Sequence, residues 1–154
     1  MLLASDTVNG QEGKAYATIN GRVEEMFFVK DLEAKVEKQK TEIKTLGRRS
    51  TQHKANGWTG TGSATLYYVS TLFRNMMLQY MKTGKDTYFD MQIINEDPTG
   101  TIGKQTIVLK RVNIDSVIMA KLDVESETLE EDIDFTFEDV EILDAFGTPI
   151  AFFE

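Results

Sequence analysis

Short stretches in which apolar and polar residues alternate occur along most of the chain, and they predict β-strands. Alternation with a period of two places every second side chain on the same face of a strand. The first such stretch is Ala15–Ile19, and the Asn20-Gly21 pair after it is typical of a hairpin turn because both residues tolerate a positive φ. Val23–Val29 is then the predicted return strand of this hairpin.

The next segment alternates apolar with charged residues, beginning at Leu32 and continuing through Ala34 and Val36. We interpret residues 32–46 as a half-buried strand pair, with a helix over residues 31–45 as the competing interpretation. Residues 47–57, GRRSTQHKANG, have no apolar period and predict a long exposed loop. Loops of this length in a compact domain are usually functional or mobile.

One segment has the spacing of an amphipathic helix. Its apolar residues recur every three to four positions: Leu72, Phe73, Met76, Met77, Tyr80 and Met81. Ser70 or Thr71 can cap its N-terminus, and Gly84 can adopt the left-handed conformation that ends many helices. The sequence therefore predicts a helix that begins after Thr71 and ends at Gly84.

The second half of the chain predicts further strands, at Tyr88–Ile94, Thr106–Val112, Ile114–Val124 and around Ile133, Phe135 and Phe137. Asp97-Pro98-Thr99-Gly100 predicts a turn because the proline presets φ. The apolar alternation resumes at Val140 and Ile142, one residue out of phase after Glu138-Asp139, which is typical of a β-bulge.

About eight strands and one helix follow one another without βαβ alternation. This order predicts a mainly β (α+β) fold, an antiparallel β-sandwich or half-barrel with a flanking α-helix. We expect residues 1–154 to form one domain, with residues 1–12 as a flexible N-terminal arm and residues 47–57 as the exposed loop. The apolar tail Ala151–Glu154 is expected to dock on the domain.

The composition agrees with one soluble domain, at 154 residues with 41% hydrophobic and 27% charged side chains. No apolar run approaches the roughly 18–20 residues of a transmembrane helix, so we expect no membrane anchor. Residues 1–17 lack the basic and apolar regions of a signal peptide. The absence of cysteine excludes a disulfide scaffold, thiol catalysis and cysteine-ligated zinc, and it fits a reducing cytosol.

Charge is distributed unevenly along the chain, whose formal net charge is −8. Residues 1–77 carry 11 basic and 8 acidic side chains, whereas residues 78–154 carry 6 basic and 17 acidic ones. The basic residues concentrate between Lys30 and Lys54, and the segment from Asp123 to Asp144 holds eleven carboxylates and no basic residue. This asymmetry indicates either two solvated faces or complementary contacts between neighbouring copies of the chain.

No motif in the sequence assembles an active site. His53 is the only histidine, which leaves no two-histidine metal site and no Ser-His-Asp arrangement. GWTGTG at residues 57–62 lacks the lysine of a phosphate-binding loop, and residues 123–127 lack the glycine of a calcium loop. We therefore predict no enzyme, no cofactor and no metal, and a hydrolase that uses an Asp/Glu pair is the weakest interpretation.

Two long segments, HKANGWTGTGSATLYY and FRNMMLQYMKTGKDTYFDMQ, resemble the tail tube proteins of PBSX-type defective prophages with contractile tails. The resemblance implies a fold similar to the Hcp component of type VI secretion. It also implies hexameric rings that stack into a hollow tube inside a sheath, with baseplate and tape-measure proteins as partners. Such a tube belongs to a phage tail assembled in the bacterial cytoplasm, and it guides DNA or punctures an envelope. The family has no catalytic residues.

Two surfaces are candidates for assembly under this resemblance. The first is the predicted loop, which we expect to contact the adjacent ring through Arg48, Arg49, His53, Lys54 and Trp58. The second is acidic, and we expect some of its residues to face either the lumen or the next subunit: Asp132, Asp134, Glu138, Asp139 and Glu141. An acidic lumen would repel phosphates, so that DNA would slide through it.

The alternative interpretation is a monomeric or dimeric β-sandwich binding module that recognises a protein or a carbohydrate. Trp58 lies beside three glycines and could serve as a binding platform or as an interface anchor. A binding module should not polymerise, so the size of the particle in solution separates the two interpretations.

Overall fold

A computed structural model describes residues 3–7, 13–25, 29–68 and 71–147. These residues form eight strands, one α-helix and a short 3₁₀ turn at Ala4–Asp6. The elements are β1 (Gly13–Ile19), β2 (Arg22–Glu25), β3 (Val29–Ile43), β4 (Gln52–Tyr67), α1 (Leu72–Thr83), β5 (Phe89–Glu96), β6 (Lys104–Ser116), β7 (Glu130–Phe137) and β8 (Asp139–Asp144). The predicted fold class, mainly β with one helix and antiparallel strands, is confirmed.

The strands pair in the order β2-β1-β5-β6-β7-β4-β3, and every pair is antiparallel. The long strand β6 connects the two halves of this sheet because it changes partner along one edge. Its first part pairs with β8 and its last residues pair with β7. The sheet therefore bends along β6, which brings the inner faces of its two halves together.

The core lies between these inner faces. Its buried apolar side chains come from β1, β4, β5, β6, β7 and α1: Ala17, Ala64, Leu66, Phe73, Phe89, Met91, Leu109, Val112, Ile133, Phe135 and Phe137. The helix contributes Phe73, whose ring centre lies 6.2 Å from that of Phe89. Burial of these side chains removes apolar surface from water and is the main stabilising contribution to the fold.

The turn and helix-capping residues that the sequence predicted form a turn and the two ends of the helix in the structure. Asn20 and Gly21 have φ of 53° and 80° and form the β1–β2 turn. Gly84 has φ of 74°, and its N–H donates to the carbonyl of Tyr80 at 2.8 Å, so the helix ends as predicted. Thr71 is the N-cap, although its side chain makes no capping hydrogen bond.

Three predictions about strands are wrong or need correction. The half-buried strand pair predicted over residues 32–46 and the alternative helix over residues 31–45 are both wrong, because β3 is one strand of 15 residues whose second half is exposed. The two strands predicted at 106–112 and 114–124 are a single strand, β6, and residues 117–129 contain none. Arg111 has φ of 54° at a register shift opposite Asp90, so β6 bends through a bulge without ending.

The phase change at Glu138-Asp139 is the passage from one half of the sheet to the other and not the predicted bulge within one strand. β7 ends at Phe137, and the Glu138 N–H donates to the carbonyl of Lys110 at 3.0 Å. β8 then continues along the other part of β6. Glu138 connects the two strands and belongs to neither, so the positions that face inward shift by one residue between β7 and β8.

The predicted N-terminal arm is partly docked. Asp6 is only 4% exposed, and its Oδ1 accepts hydrogen bonds from the N–H and the hydroxyl of Thr101 at 2.8 and 2.7 Å. Residues 3–7 are therefore anchored on the turn after β5, contrary to the expectation of a flexible segment over all of 1–12. Residues 1–2, 8–12, 26–28, 69–70 and the tail at 148–154 lie outside the described residues, and with them the predicted cap residue Ser70.

Candidate assembly surfaces

The most prominent surface feature is a two-stranded extension of the sheet, residues 37–59, which we call the hairpin arm. β3 and β4 remain paired from Val29–Leu66 to Ile43–Gln52, but β7 pairs with β4 only as far as Gly60. Beyond that point no third strand of the described residues pairs with these two, and every residue of the arm is exposed. From Gly60 to Gln52 the arm extends about 25 Å beyond the sheet.

The hairpin arm corrects the predicted loop at residues 47–57. Only residues 44–51, which we call the arm tip, connect the strands, and Gln52 already belongs to β4. The sequence did not predict this strand because both faces of the arm are polar and no apolar alternation marks it. Cross-strand hydrogen bonds hold it: Gln39 donates to Thr59 at 2.9 Å, and Asn56 donates to Thr41 at 2.7 Å.

The residues predicted to contact the adjacent ring fall into two groups at opposite ends of the arm. Arg48 and Arg49 lie in the arm tip, and His53 and Lys54 follow it at the start of β4. Trp58 lies at the other end of the arm, near the body of the subunit. The basic residues and the tryptophan therefore belong to different surfaces.

Trp58 marks the root of the arm, where the core reaches the surface. Its ring centre lies 6.3 Å from that of Phe137, and the residue is 44% exposed. Val36 and Val140 line a shallow apolar cleft with it, and Asp139 and Lys38 lie at the edge of this cleft. Part of the Trp58 side chain thus extends the core, and the rest is available to a partner.

The acidic residues divide between two strands. On β7 the inward positions hold Glu131, Ile133, Phe135 and Phe137, so Asp132 and Asp134 alternate onto the exposed face. The hydroxyl of Thr65 donates to Asp132 at 2.8 Å, and that of Ser116 donates to Asp134 at 3.1 Å. Desolvation raises the pKa of Asp115, and the nearby charge of Asp134 raises it further.

The other three predicted acidic residues lie at the crossing to β8 and on β8 itself. Glu138 pairs with Arg111 at 2.9 Å, and Glu141 pairs with Lys110 at 3.3 Å. Asp139 accepts a hydrogen bond from the N–H of Val140. Glu138 and Glu141 thus have basic partners, whereas Asp132 and Asp134 have hydroxyl partners.

A buried ion pair was missed by the sequence analysis. Arg74 of α1 donates to the carboxylate of Glu131, and the two side chains are 11% and 2% exposed. The Arg74 guanidinium also lies 4.3 Å from the centre of the Tyr68 ring. Burial raises the pKa of Glu131, and Arg74 opposes that rise. The alternation through Ile133 and Phe135 was the signal that places Glu131 inward.

Within the described ranges, no group of three or more histidine, aspartate or glutamate side chains could hold a metal ion. No helix in that part of the chain is long and apolar enough to cross a membrane.

Comparison with known proteins gives consistent results. Residues 1–144 match a family described as phage tail tube protein. Over 141 residues, covering 92% of this chain and 93% of the relative, the sequence is 44% identical to the phage-like element PBSX protein XkdM of Bacillus subtilis (strain 168).

Solved structures share the fold at low identity. A chain of the anti-feeding prophage tube-terminating cap has 11% identity and a TM-score of 0.70, covering 94% of this chain and 96% of that chain. A chain of the PVC sheath-tube complex, from an extracellular contractile injection system, has 10% identity and a TM-score of 0.69, covering 90% and 93%. Hcp1 from Flavobacterium johnsoniae has 14% identity and a TM-score of 0.51, covering 88% and 99%.

Proposed function

The chain belongs to the phage tail tube protein family, as its resemblance to PBSX-type proteins predicted, and from that premise we propose how it builds a tube. Copies of the chain associate into hexameric rings, and the rings stack into the hollow inner tube of a contractile phage-like tail. The protein acts through assembly and not as an enzyme. The number of six subunits per ring is taken from the family resemblance, because no described feature of one subunit determines it.

The observation that carries this proposal is the exposed hairpin arm. A two-stranded ribbon is marginally stable by itself in water, and three or more strands or a packing partner are normally needed. Among the described residues, no third strand pairs with the arm, and every residue of the arm is exposed. Contact with a neighbouring copy supplies the missing partner, with Arg48, Arg49, His53 and Lys54 in the inter-ring contact and Trp58 at the root.

Shortening the arm tests the proposal. Residues 40–56 are replaced by Asn-Gly, which joins the paired residues Gln39 and Gly57 through the turn that two-residue hairpins prefer. Trp58 and the core are untouched, so we expect the far-UV circular dichroism of a folded subunit. Rings should still form, whereas electron microscopy should show no tubes. Normal tubes from this variant would contradict the inter-ring role of the arm.

The acidic residues provide the second part of the proposal. Some of Asp132, Asp134, Glu138, Asp139 and Glu141 line either the lumen or the contact with the next subunit. The exposed charges of Asp132 and Asp134 support this role most directly, because Glu138 and Glu141 already have basic partners. If they line the lumen, the negative wall lets DNA pass without binding it.

Reversing the charge of Asp132 and Asp134 together, as D132K and D134K, separates these options. A lumen role predicts tubes of normal shape that now retain DNA. An interface role predicts that assembly fails. Unchanged tubes that still do not retain DNA would contradict both roles.

The remaining partners follow from the proposed tube. Its outer surface contacts a sheath protein, one end rests on a baseplate, and a tape-measure protein occupies the lumen during assembly. We place this assembly in the cytoplasm of the bacterial host, which agrees with a sequence that contains no cysteine.

A further inference from the structure

The arm tip and one loop of the body lie at opposite ends of the subunit. β4 runs from Gln52, next to the arm tip, to Tyr67, which pairs with the first residue of β7. The loop before β7 therefore lies at the Tyr67 end, and the Tyr68 N–H donates to the carbonyl of Leu129 at 2.9 Å there. We call residues 122–128 of this connection the acidic loop.

About 50 Å of extended strand separates the arm tip from the acidic loop, because 15 residue steps lie between Gln52 and Tyr67. The two segments of one subunit therefore cannot touch. In a stack whose axis runs along β4 and whose subunits share one orientation, the arm tip of one copy faces the acidic-loop end of the next. Such a head-to-tail contact repeats without limit along the stack.

The two segments carry opposite charges of equal number. The arm tip contains Lys44, Arg48 and Arg49, and the acidic loop contains Asp123, Glu125 and Glu127. Among the described residues, none of these six side chains takes part in an intramolecular ion pair. Unpaired opposite charges at the two ends favour association in one orientation and disfavour the reverse one.

Both segments also present apolar side chains to water. Leu46 in the arm tip is fully exposed, and in the acidic loop Leu122 is 96% exposed and Val124 fully exposed. Isolated exposed apolar residues are ordinary on protein surfaces. Here each lies among charges that complement those around the other, so contact would bury apolar surface inside a ring of ion pairs, as in protein interfaces.

We infer that the acidic loop is the surface that receives the arm tip of a second copy of this chain in the adjacent ring. Leu46 packs against Leu122 and Val124, and the three basic side chains pair with the three carboxylates around them. This inference rests on the proposed stacking of rings and adds the receiving surface to it. The partner is another copy, because the complementary segment lies on the same chain.

Charge reversal with rescue tests the inference. Arg48→Glu with Arg49→Glu reverses the arm tip, and Asp123→Lys with Glu125→Lys reverses the acidic loop. All four positions are exposed, so each double variant should fold and form rings, detected by circular dichroism and light scattering. Each should lose tubes in electron microscopy, and the quadruple variant, in which opposite charges meet again, should regain them.

A matched control separates this contact from net charge. Arg48→Glu and Arg49→Glu are combined with Asp86→Lys and Glu96→Lys, two exposed carboxylates outside the acidic loop. This variant has the same net charge as the rescued one but no restored contact, so it should form no tubes. Tubes from the control would overturn the inference, as would tubes from the acidic-loop variant alone.

The wild-type chain distinguishes failure of the inference from failure of its premise. Wild-type tubes together with normal tubes from the acidic-loop variant would contradict the receiving surface and leave ring stacking intact. Absence of wild-type tubes under every condition, including addition of baseplate, would overturn both. A quadruple variant that folds and forms rings but not tubes would contradict the inference alone.

Discussion

At the scale of single residues, two glycines decide how β4 packs against β7. A Cβ on Gly60 would lie 2.4 Å from the Phe137 ring, and one on Gly62 would lie 2.3 Å from the Phe135 ring and 2.9 Å from the carbonyl of Glu33. Both phenylalanine rings thus lie directly across the β4 backbone. Gly60 and Gly62, which belong to the segment that resembles a phosphate-binding loop, therefore provide the space that these two core rings occupy.

Gly62→Ala should destabilise the subunit because both the aromatic ring and the β3 backbone obstruct the added methyl group. Overpacking of this kind costs about 1–3 kcal/mol. Urea unfolding at a concentration where subunits are dispersed measures it. Gly13→Ala is the control, since the nearest atoms lie at 3.5 Å, an ordinary contact distance, and its effect should stay within about 0.5 kcal/mol. Equal effects of the two substitutions would contradict this account of β4.

Asp115 makes stability depend on pH, because desolvation and, second to it, the nearby charge of Asp134 raise its pKa. Because the pKa of Asp115 is raised above its ordinary value of 3.8, the folded state holds this proton more tightly than the unfolded chain does. The group's contribution to stability is therefore fully present below pH 3.8 and is lost as the pH rises through the raised pKa.

Asp134→Asn should lower the pKa of Asp115 and reduce this loss, because it removes the nearby negative charge. The pKa should stay above 3.8, since desolvation is the larger cause and remains. Carboxyl NMR titration of the dispersed subunit gives the value directly. Asp132→Asn is the matched control and should leave it unchanged; a pKa of Asp115 that is insensitive to Asp134→Asn would contradict the coupling.

At the scale of elements, the Arg74–Glu131 pair fixes the helix on the sheet. It joins α1 to β7, while the neighbouring Glu130 pairs with Lys30 on the surface at 2.8 Å. Removing one partner of a buried pair leaves the other charge without compensation, whereas an exposed pair is screened by water. Two consecutive glutamates therefore have different energetic roles.

Glu131→Gln should lower the free energy of unfolding by about 3 kcal/mol, since it removes the buried carboxylate that pairs with the Arg74 guanidinium. Glu130→Gln should lower it by less than about 1 kcal/mol. Both values come from urea unfolding of the dispersed subunit. A smaller loss for Glu131→Gln than for Glu130→Gln would mean that the buried pair does not hold α1.

The elements also show which features a sequence can predict. α1 was predicted within a residue at each end, because its apolar spacing and Gly84 are local signals. The hairpin arm was not, because no apolar alternation marks its locally paired strands, and the single strand β6 was not, because its partners β7 and β8 lie much later in the sequence. The arm has no apolar face, and β6 changes partner from β8 to β7 without interruption. For the same reason the sequence showed the charges of the candidate surfaces but not the basic partners of Glu138 and Glu141, Arg111 and Lys110.

At the scale of the whole molecule, the separation of charge gives the subunit two different ends. The arm tip is basic and the acidic loop is negative, and they lie at opposite ends of β4. Contacts between exposed charges weaken as salt rises, because the screening length falls from about 8 Å at physiological ionic strength to about 3 Å at 1 M.

Stacking should therefore depend more on salt than ring formation does. Raising salt to about 1 M should shorten or dissolve tubes while rings persist. Light scattering with electron microscopy across a salt series follows both species. Tubes that are equally long at low and high salt would show that the contact between rings is not mainly electrostatic.

Size and shape in solution test the central claim most directly. Light scattering after size exclusion, with negative-stain microscopy of the same fractions, is repeated at several protein concentrations with and without baseplate. We expect hollow tubes and rings of about 104 kDa, six times the subunit mass of 17.4 kDa. A 17.4 kDa monomer at every concentration, with and without baseplate, would contradict the tube and favour a binding module that acts through Trp58.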